Sequence, residues 1–183
     1  MKGIEHWKKE IPRTRFMIVG DHCVDRNNKY RLSGRYSLEH QGIPIRETFN
    51  SEDEFALGGA GNIAVNFKKL GVDIIPFGVI GTDDRSMQLK RLYEHLGVQT
   101  WGLLVDTGRL AHTYEKFHRE YERGIVQTDR LDTPNGRAPD PAVQQGLLEM
   151  IEEELPRFDG IYIADQLPTN YYPCITPYVR KGL

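Results

Sequence analysis

The 183-residue sequence predicts an α/β fold built on a parallel sheet flanked by helices. Three observations carry that prediction. Short, continuous apolar runs at Phe16–Val19, Val72–Val79 and Gly160–Ala164 have the character of strands covered on both faces. Segments with apolar residues at helical spacing lie between such runs. The order strand, loop, helix, strand, helix, strand then requires crossover connections, which lay successive strands parallel.

Each element has its own signal. Arg15 to Asp21 is a buried strand with Gly20 at its exit. Asn27 to Glu54 is polar and rich in Arg, Tyr and Ser, with one apolar alternation at Ile43-Pro44-Ile45 and a Thr48-Phe49 pair; it is expected as irregular strand or loop outside the core. A helix follows Gly58-Gly59-Ala60-Gly61-Asn62, with Ile63, Phe67 and Leu70 at helical spacing and Gly71 as its stop signal. After the Val72–Val79 strand, Asp83-Asp84 opens a second helix reaching Gly97, with Met87, Leu89, Leu92 and Leu96 as its apolar positions. Trp101 to Val105 is a third strand.

From His112 the period changes from 3.6 to 2. Thr113, Glu115, Phe117 and Arg119 alternate with Tyr114, Lys116 and His118, which describes a half-exposed strand. Arg123-Gly124 is its turn and Ile125 to Thr128 its return. Asp132 to Pro141 is a linker. Ala142 to Leu155 is a helix on Val143, Leu147, Leu148 and Ile151. Gly160 to Asp165 is a fourth core strand ending in a carboxylate, and Asn170 to Leu183 starts another helix.

Composition excludes several classes of function. Hydrophobic residues make up 39% and charged residues 27%, a globular balance. With 24 Lys and Arg against 26 Asp and Glu the net charge is −2, so no basic excess points to nucleic acid. No run approaches the length of a membrane span, and the first ten residues lack the apolar core of a signal peptide. Cys23 and Cys174 are expected as reduced thiols of a cytoplasmic protein, and they form no zinc-ligand spacing.

Candidate chemistry concentrates in two places. Glycines at a helix entry let the backbone approach a ligand closely and expose helix N-terminal N–H groups. Gly58, Gly59 and Asn62 are therefore either a ligand-binding turn or a plain Gly-rich loop with an Asn cap. The stretch is not a dinucleotide fingerprint, since it lacks Gly-x-Gly-x-x-Gly and follows a polar loop, and it is not a P-loop. Asp21 and Asp25 lie just past the first strand, where open α/β sheets bind ligands. They are either acceptors for sugar hydroxyls or solvated turn residues, with Asp25 beside Arg26.

Taken together, these pieces resemble the PfkB/ribokinase-like carbohydrate kinases. Gly20-Asp21-His22-Cys23-Val24-Asp25-Arg26 resembles that family's opening strand and turn. Gly58 through Asn66, followed by Leu70-Gly71, resembles its first signature. Gly78-Val79-Ile80-Gly81-Thr82-Asp83-Asp84 resembles the segment that follows it. Ser37-Leu38-Glu39 through Ile45 resembles the lid strand of the subgroup that phosphorylates heptose 7-phosphate. The resemblance runs from about Phe16 to the end of the chain and covers the N-terminal, sugar-binding portion of such a kinase.

The resemblance implies one ribokinase-like domain over residues 1–183, incomplete at its C-terminal side. A small β lid is implied over about 27–54 and 111–130, with its strands at 43–50 and 112–128. Asp25, Gly58, Gly59 and Asn62 would contact a sugar or sugar phosphate, with Asp21 and Asp165 at the edge of that site. Lids of this family pair between subunits, which implies a homodimer. ATP and Mg belong to the complete fold, but this chain is expected to bind neither and to supply no catalytic or metal residue. The Asp-Thr-x-Gly-Ala-Gly-Asp segment that carries the base is absent here. Gln127 stands where the heptose subgroup has the Arg of an Arg-x-Asp pattern, if Asp129 is its Asp, and Asp165-Gln166-Leu167-Pro168 replaces Asp-Tyr-Gly-Lys. The functional expectation is a PfkB-type sugar kinase lacking its nucleotide half. Its rivals are a non-catalytic sugar-binding or regulatory module of the same ancestry, and an unrelated α/β protein that binds phosphate on its Gly-rich loop.

Overall fold

The computed structural model describes residues 3–37, 42–48 and 54–183. Leu38 and Glu39 of the lid-strand motif, and Phe49, lie outside the described residues. Two sheets organise the chain. The first is parallel, in the order β6 (Leu103–Val105), β5 (Asp73–Ile80), β1 (Arg15–Gly20), β9 (Gly160–Ala164).

Strand alternation sends side chains of this sheet into two cores. Ile18, Ile74 and Ile80 pack with Ala60 and Ala64 of α2 (Ala60–Lys69) and with Leu89 and Tyr93 of α3 (Asp84–His95). Met17, Val19, Ile75 and Phe77 pack on the other face with Leu147 and Ile151 of α4 (Pro141–Glu154) and Val179 of α5 (Pro177–Gly182). The result is a three-layer α/β/α arrangement, the class the apolar runs predict. A short helix, α1 (Ile4–Glu10), precedes it.

The second sheet has five strands. β2 (His22–Tyr36) is its spine. One edge of β2 pairs antiparallel with β4 (Glu54–Gly59) and then with β3 (Pro44–Thr48). Its other edge pairs parallel with β7 (Thr113–Tyr121), which forms a hairpin with β8 (Gly124–Thr133). At its base, Val24 and Leu57 enter the α2–α3 core, so the sheet is rooted in the body of the fold.

Several expectations are corrected. The first part of the polar stretch after Asn27 is strand, not loop: it continues β2 to Tyr36, paired with β7 as far as Tyr30 and with β3 beyond, with a register shift between Leu32 and Tyr36. Asp25 therefore lies within β2, and not in a turn. The Gly-rich stretch follows a strand end, β4, and not a polar loop. Within α3, Tyr93 is buried while Met87 is 49% exposed, and Leu70, just past α2, is 60% exposed. β9 is an edge strand, with Tyr162 and Ile163 exposed, rather than a strand covered on both faces. Both cysteines are free and buried. Among the described residues, no helix is long and apolar enough to cross a membrane.

Candidate acceptor site on the second sheet

Gly58 and Asp25 form the centre of the site. The β2–β4 ladder sets Cys23 opposite Gly58 and Asp25 opposite Ala56, on the same sheet face. A Cβ at Gly58 would stand 2.9 Å from Asp25 Oδ1 and 3.4 Å from Cys23 Cβ, so only glycine leaves this carboxylate uncovered. Gly59 has φ +55°, and a Cβ there would meet the Asp21 carbonyl oxygen at 2.5 Å. That carbonyl accepts the N–H of Ala60 at 2.9 Å, which fixes the start of α2 against the end of β1. Asn62 is exposed on the first turn of α2. It is not the N-cap, which is Gly59, and no side chain caps the helix.

The parallel β2–β7 register brings further groups to the Asp25 face. Tyr114 pairs with Asp25, and Lys116 with Asn27. Lys116 Nζ donates to Asp25 Oδ2 at 3.0 Å, and His118 Nε2 is 3.2 Å from Asn27 Oδ1. On β8, Arg130 holds Asp132 in a bidentate pair at 2.6 and 3.0 Å and lies 4.4 Å over the Tyr114 ring. Arg130-Leu131-Asp132 is an Arg-x-Asp pattern three residues beyond Gln127. The exposed Val126 and Leu131 in β8 gave no periodicity to mark which residues face Asp25.

Asp21 and Asp165 are not assembled into this cluster. The Asp21 carboxylate accepts the Cys174 N–H on both oxygens at 3.0 Å and Asn135 Nδ2 at 3.3 Å, and faces the buried Arg109 guanidinium at 3.9 Å. Burial pushes its pKa up to about 6, against the lowering effects of Cys174 and Arg109. Asp21 is thus a tether joining the end of β1 to the 135 and 171–174 turns. Asp165 pairs with Arg180 at 2.6 Å on the outside of the fold. The thiols of Cys23 and Cys174 are raised by burial and by Asp21, which leaves them protonated and unreactive.

Two buried histidines differ in their surroundings. Nε2 of His22 lies 3.2 Å from the carbonyls of Ile18 and Phe77, and its Nδ1 lies 2.6 Å from Tyr93 Oη. Burial lowers its pKa to about 4. His112 is 1% exposed, and neither ring nitrogen has a hydrogen-bond partner. Leaving such a buried group unsatisfied costs about 1–3 kcal/mol. Burial takes its pKa down to about 4, with Asp132 and Asp25 pulling upward and Arg130 downward.

A cleft of about 540 Å³ opens on the opposite sheet face, lined by Arg26, Phe55, Asp83, Arg85, Met87 and Glu115 among others. It is separate from the Asp25 cluster because neighbouring residues of a strand point to opposite faces. Its Arg26 and Arg85 share the Glu115 carboxylate at 3.4 and 3.5 Å. Among the described residues, no group of three or more His, Cys, Asp or Glu side chains could hold a metal ion.

No protein-family model matches the chain. It is 28% identical over 149 residues to the bifunctional protein HldE of Mesorhizobium japonicum, covering 81% of this chain and 28% of that protein. It is 29% identical over 157 residues to the D-beta-D-heptose 7-phosphate kinase of Bordetella bronchiseptica, covering 86% of this chain and 47% of the relative. The chain thus spans less than half the length of these curated relatives. Among solved structures, phosphofructokinase-2 from Escherichia coli in complex with fructose-6-phosphate matches with a TM-score of 0.57 at 16% identity, over 85% of this chain and 46% of that one. A carbohydrate kinase from Agrobacterium tumefaciens matches with a TM-score of 0.53 at 14% identity, over 82% and 45%. The chain has the ribokinase-like fold and is related in sequence to proteins that include a heptose 7-phosphate kinase.

Proposed function

We propose that this chain forms the acceptor side of a PfkB-type sugar kinase site, binding a sugar phosphate of the heptose 7-phosphate kind. The observation that carries the reading is the Asp25 carboxylate left uncovered by Gly58, with Lys116 and Arg130 on the same sheet face. A carboxylate accepts two sugar hydroxyls, and cations nearby suit a phosphate on the same ligand. In this reading Asp25, Gly58, Gly59 and Asn62 contact the sugar, while Asp21 holds the turn behind it.

The donor in this reading is ATP with magnesium. Phosphoryl transfer depends on positioning, a base at the acceptor hydroxyl and donors for the developing charge. The 183 residues contain no Asp-Thr-x-Gly-Ala-Gly-Asp segment, and no catalytic role is assigned within them. The second sheet acts as a lid. Its exposed apolar residues, among them Tyr36, Ile43, Ile125 and Val126, pack against the lid of a second copy in a homodimer. The two free thiols suit a cytoplasmic setting.

Calorimetric titration with D-β-D-heptose 7-phosphate, fructose 6-phosphate and the unphosphorylated sugars tests the reading. The phosphorylated sugars are expected to bind and Asp25→Asn to weaken them about tenfold or more. Equal affinity of Asp25→Asn and native protein would refute the site. A binding-only module of the same ancestry is distinguished by an ADP-release assay, in which it shows no sugar-dependent turnover in any longer form of the protein.

A further inference from the structure

We propose that His112 is a sugar-contacting residue, held in reserve beneath Tyr171 and hydrogen-bonded only when ligand occupies the Asp25 site. The inference rests on the acceptor-site reading above and adds a residue that the sequence motifs do not single out.

The position of His112 is fixed by its backbone. Its carbonyl accepts the Val24 N–H at 2.9 Å and its N–H donates to Asn135 Oδ1 at 3.1 Å, at the point where β7 joins β2. Strand alternation puts His112 on the face of Tyr114 and Lys116, the face that Asp25 shares. Its ring stands edge-on to Tyr114, with centroids 4.3 Å apart. On the other side the Tyr171 ring lies over it at 5.1 Å, tilted by 36°.

This packing leaves both imidazole nitrogens without a partner and out of contact with solvent. A histidine kept only to fill space between two tyrosines is better replaced by phenylalanine, which fills the same stack and has no polar atoms to leave unsatisfied. The contrast is with His22, equally buried, where both nitrogens are within hydrogen-bond distance of protein atoms. The backbone of the cover is fixed, since Asn135 Nδ2 donates to the carbonyls of Tyr171 and Tyr172 at 3.2 and 3.0 Å and Arg109 to that of Tyr172 at 3.0 Å. The Tyr171 side chain itself is held more loosely, by a 3.4 Å bond from its hydroxyl to Asp132. Rotation of the Tyr171 side chain opens His112 toward the Asp25 cluster, where a neutral imidazole can both donate to and accept from sugar hydroxyls.

The test compares His112→Phe, His112→Gln and Asp25→Asn with the native 183-residue chain, by thermal unfolding without ligand and by calorimetric titration with D-β-D-heptose 7-phosphate. His112→Phe is expected to unfold about 2–4 °C higher and to bind about tenfold or more weakly. His112→Gln, which keeps a donor and an acceptor, is expected to retain more of the affinity. Native-like affinity in His112→Phe, with Asp25→Asn weakened, overturns the role of His112 alone. Native-like affinity in both variants, or no binding by the native chain, overturns the acceptor-site reading and this inference with it. A lower unfolding temperature for His112→Phe with unchanged affinity shows that the imidazole is structural, and also refutes the proposal.

Discussion

Gly58 faces Asp25 across the β2–β4 ladder so closely that a single added methyl would stand 2.9 Å from the carboxylate. This relation ties a motif residue to a chemical one. Gly58→Ala is expected to push the Asp25 side chain off its position beside Lys116 and to weaken sugar phosphate binding about tenfold, while leaving the fold in place. Calorimetry on Gly58→Ala, paired with circular dichroism, checks this; unaltered binding would mean that the carboxylate does not meet the ligand.

Gly59 should respond differently. Its φ of +55° and the 2.5 Å approach of its missing Cβ to the Asp21 carbonyl make it a backbone requirement. Gly59→Ala is expected to lower stability by about 1–3 kcal/mol or more, measured by urea unfolding.

The Asp21–Arg109 pair predicts a larger effect. Arg109 is 1% exposed, and its guanidinium also donates to the carbonyls of Arg137 and Tyr172. Arg109→Ala leaves a buried carboxylate without its counter-charge and is expected to cost about 3–5 kcal/mol. Asp21→Asn in the Arg109→Ala background should recover part of that loss, and a double-mutant cycle measures the recovery.

Stability against pH follows from three buried groups. Asp21 has its pKa raised from 3.8 to about 6, so its contribution is fully present below about pH 4 and is lost as pH rises toward 6. His22 and His112 are lowered from 6.5 to about 4, so the unfolded chain binds more protons and stability falls as pH drops through that window. Two histidines outweigh one aspartate, and stability is expected to rise between about pH 4 and 6.5. Asp21→Asn should steepen the rise and His112→Phe should flatten it. Denaturant midpoints across that range read both slopes.

Catalysis by the 183-residue chain alone is not expected. Sugar phosphate binding should be measurable while a coupled ADP-release assay shows no sugar-dependent turnover in the range of about 1–100 s⁻¹ usual for kinases. Turnover in that range would reveal a base and a nucleotide site that the present assignment lacks. Light scattering at high concentration tests the accompanying dimer, and a strictly monomeric species would remove the lid-to-lid contact.

The sequence by itself determined the parallel sheet and the succession of strands and helices along the chain, while the order of the strands within the sheet came from the tertiary structure. Continuous apolar runs and 3.6-residue spacing are local signals, and buried strands such as β1 and β5 carry them in full. It also marked Asp25 and Gly58 as chemically suggestive, through residue type and resemblance. Only the tertiary structure decided how these residues meet. Asp25 and Gly58 are 33 positions apart, and their contact exists because β2 runs on as one strand and β4 pairs with its first half. The roles of Asp21 and His112 were equally hidden: one carboxylate is consumed by Cys174, Asn135 and Arg109, and one imidazole is buried with nothing to bond. Both properties depend on groups distant in sequence, Cys174, Asn135 and Arg109 for Asp21 and Tyr171 for His112, and no pattern within a strand or a helix encodes which distant backbone group or ring will arrive there.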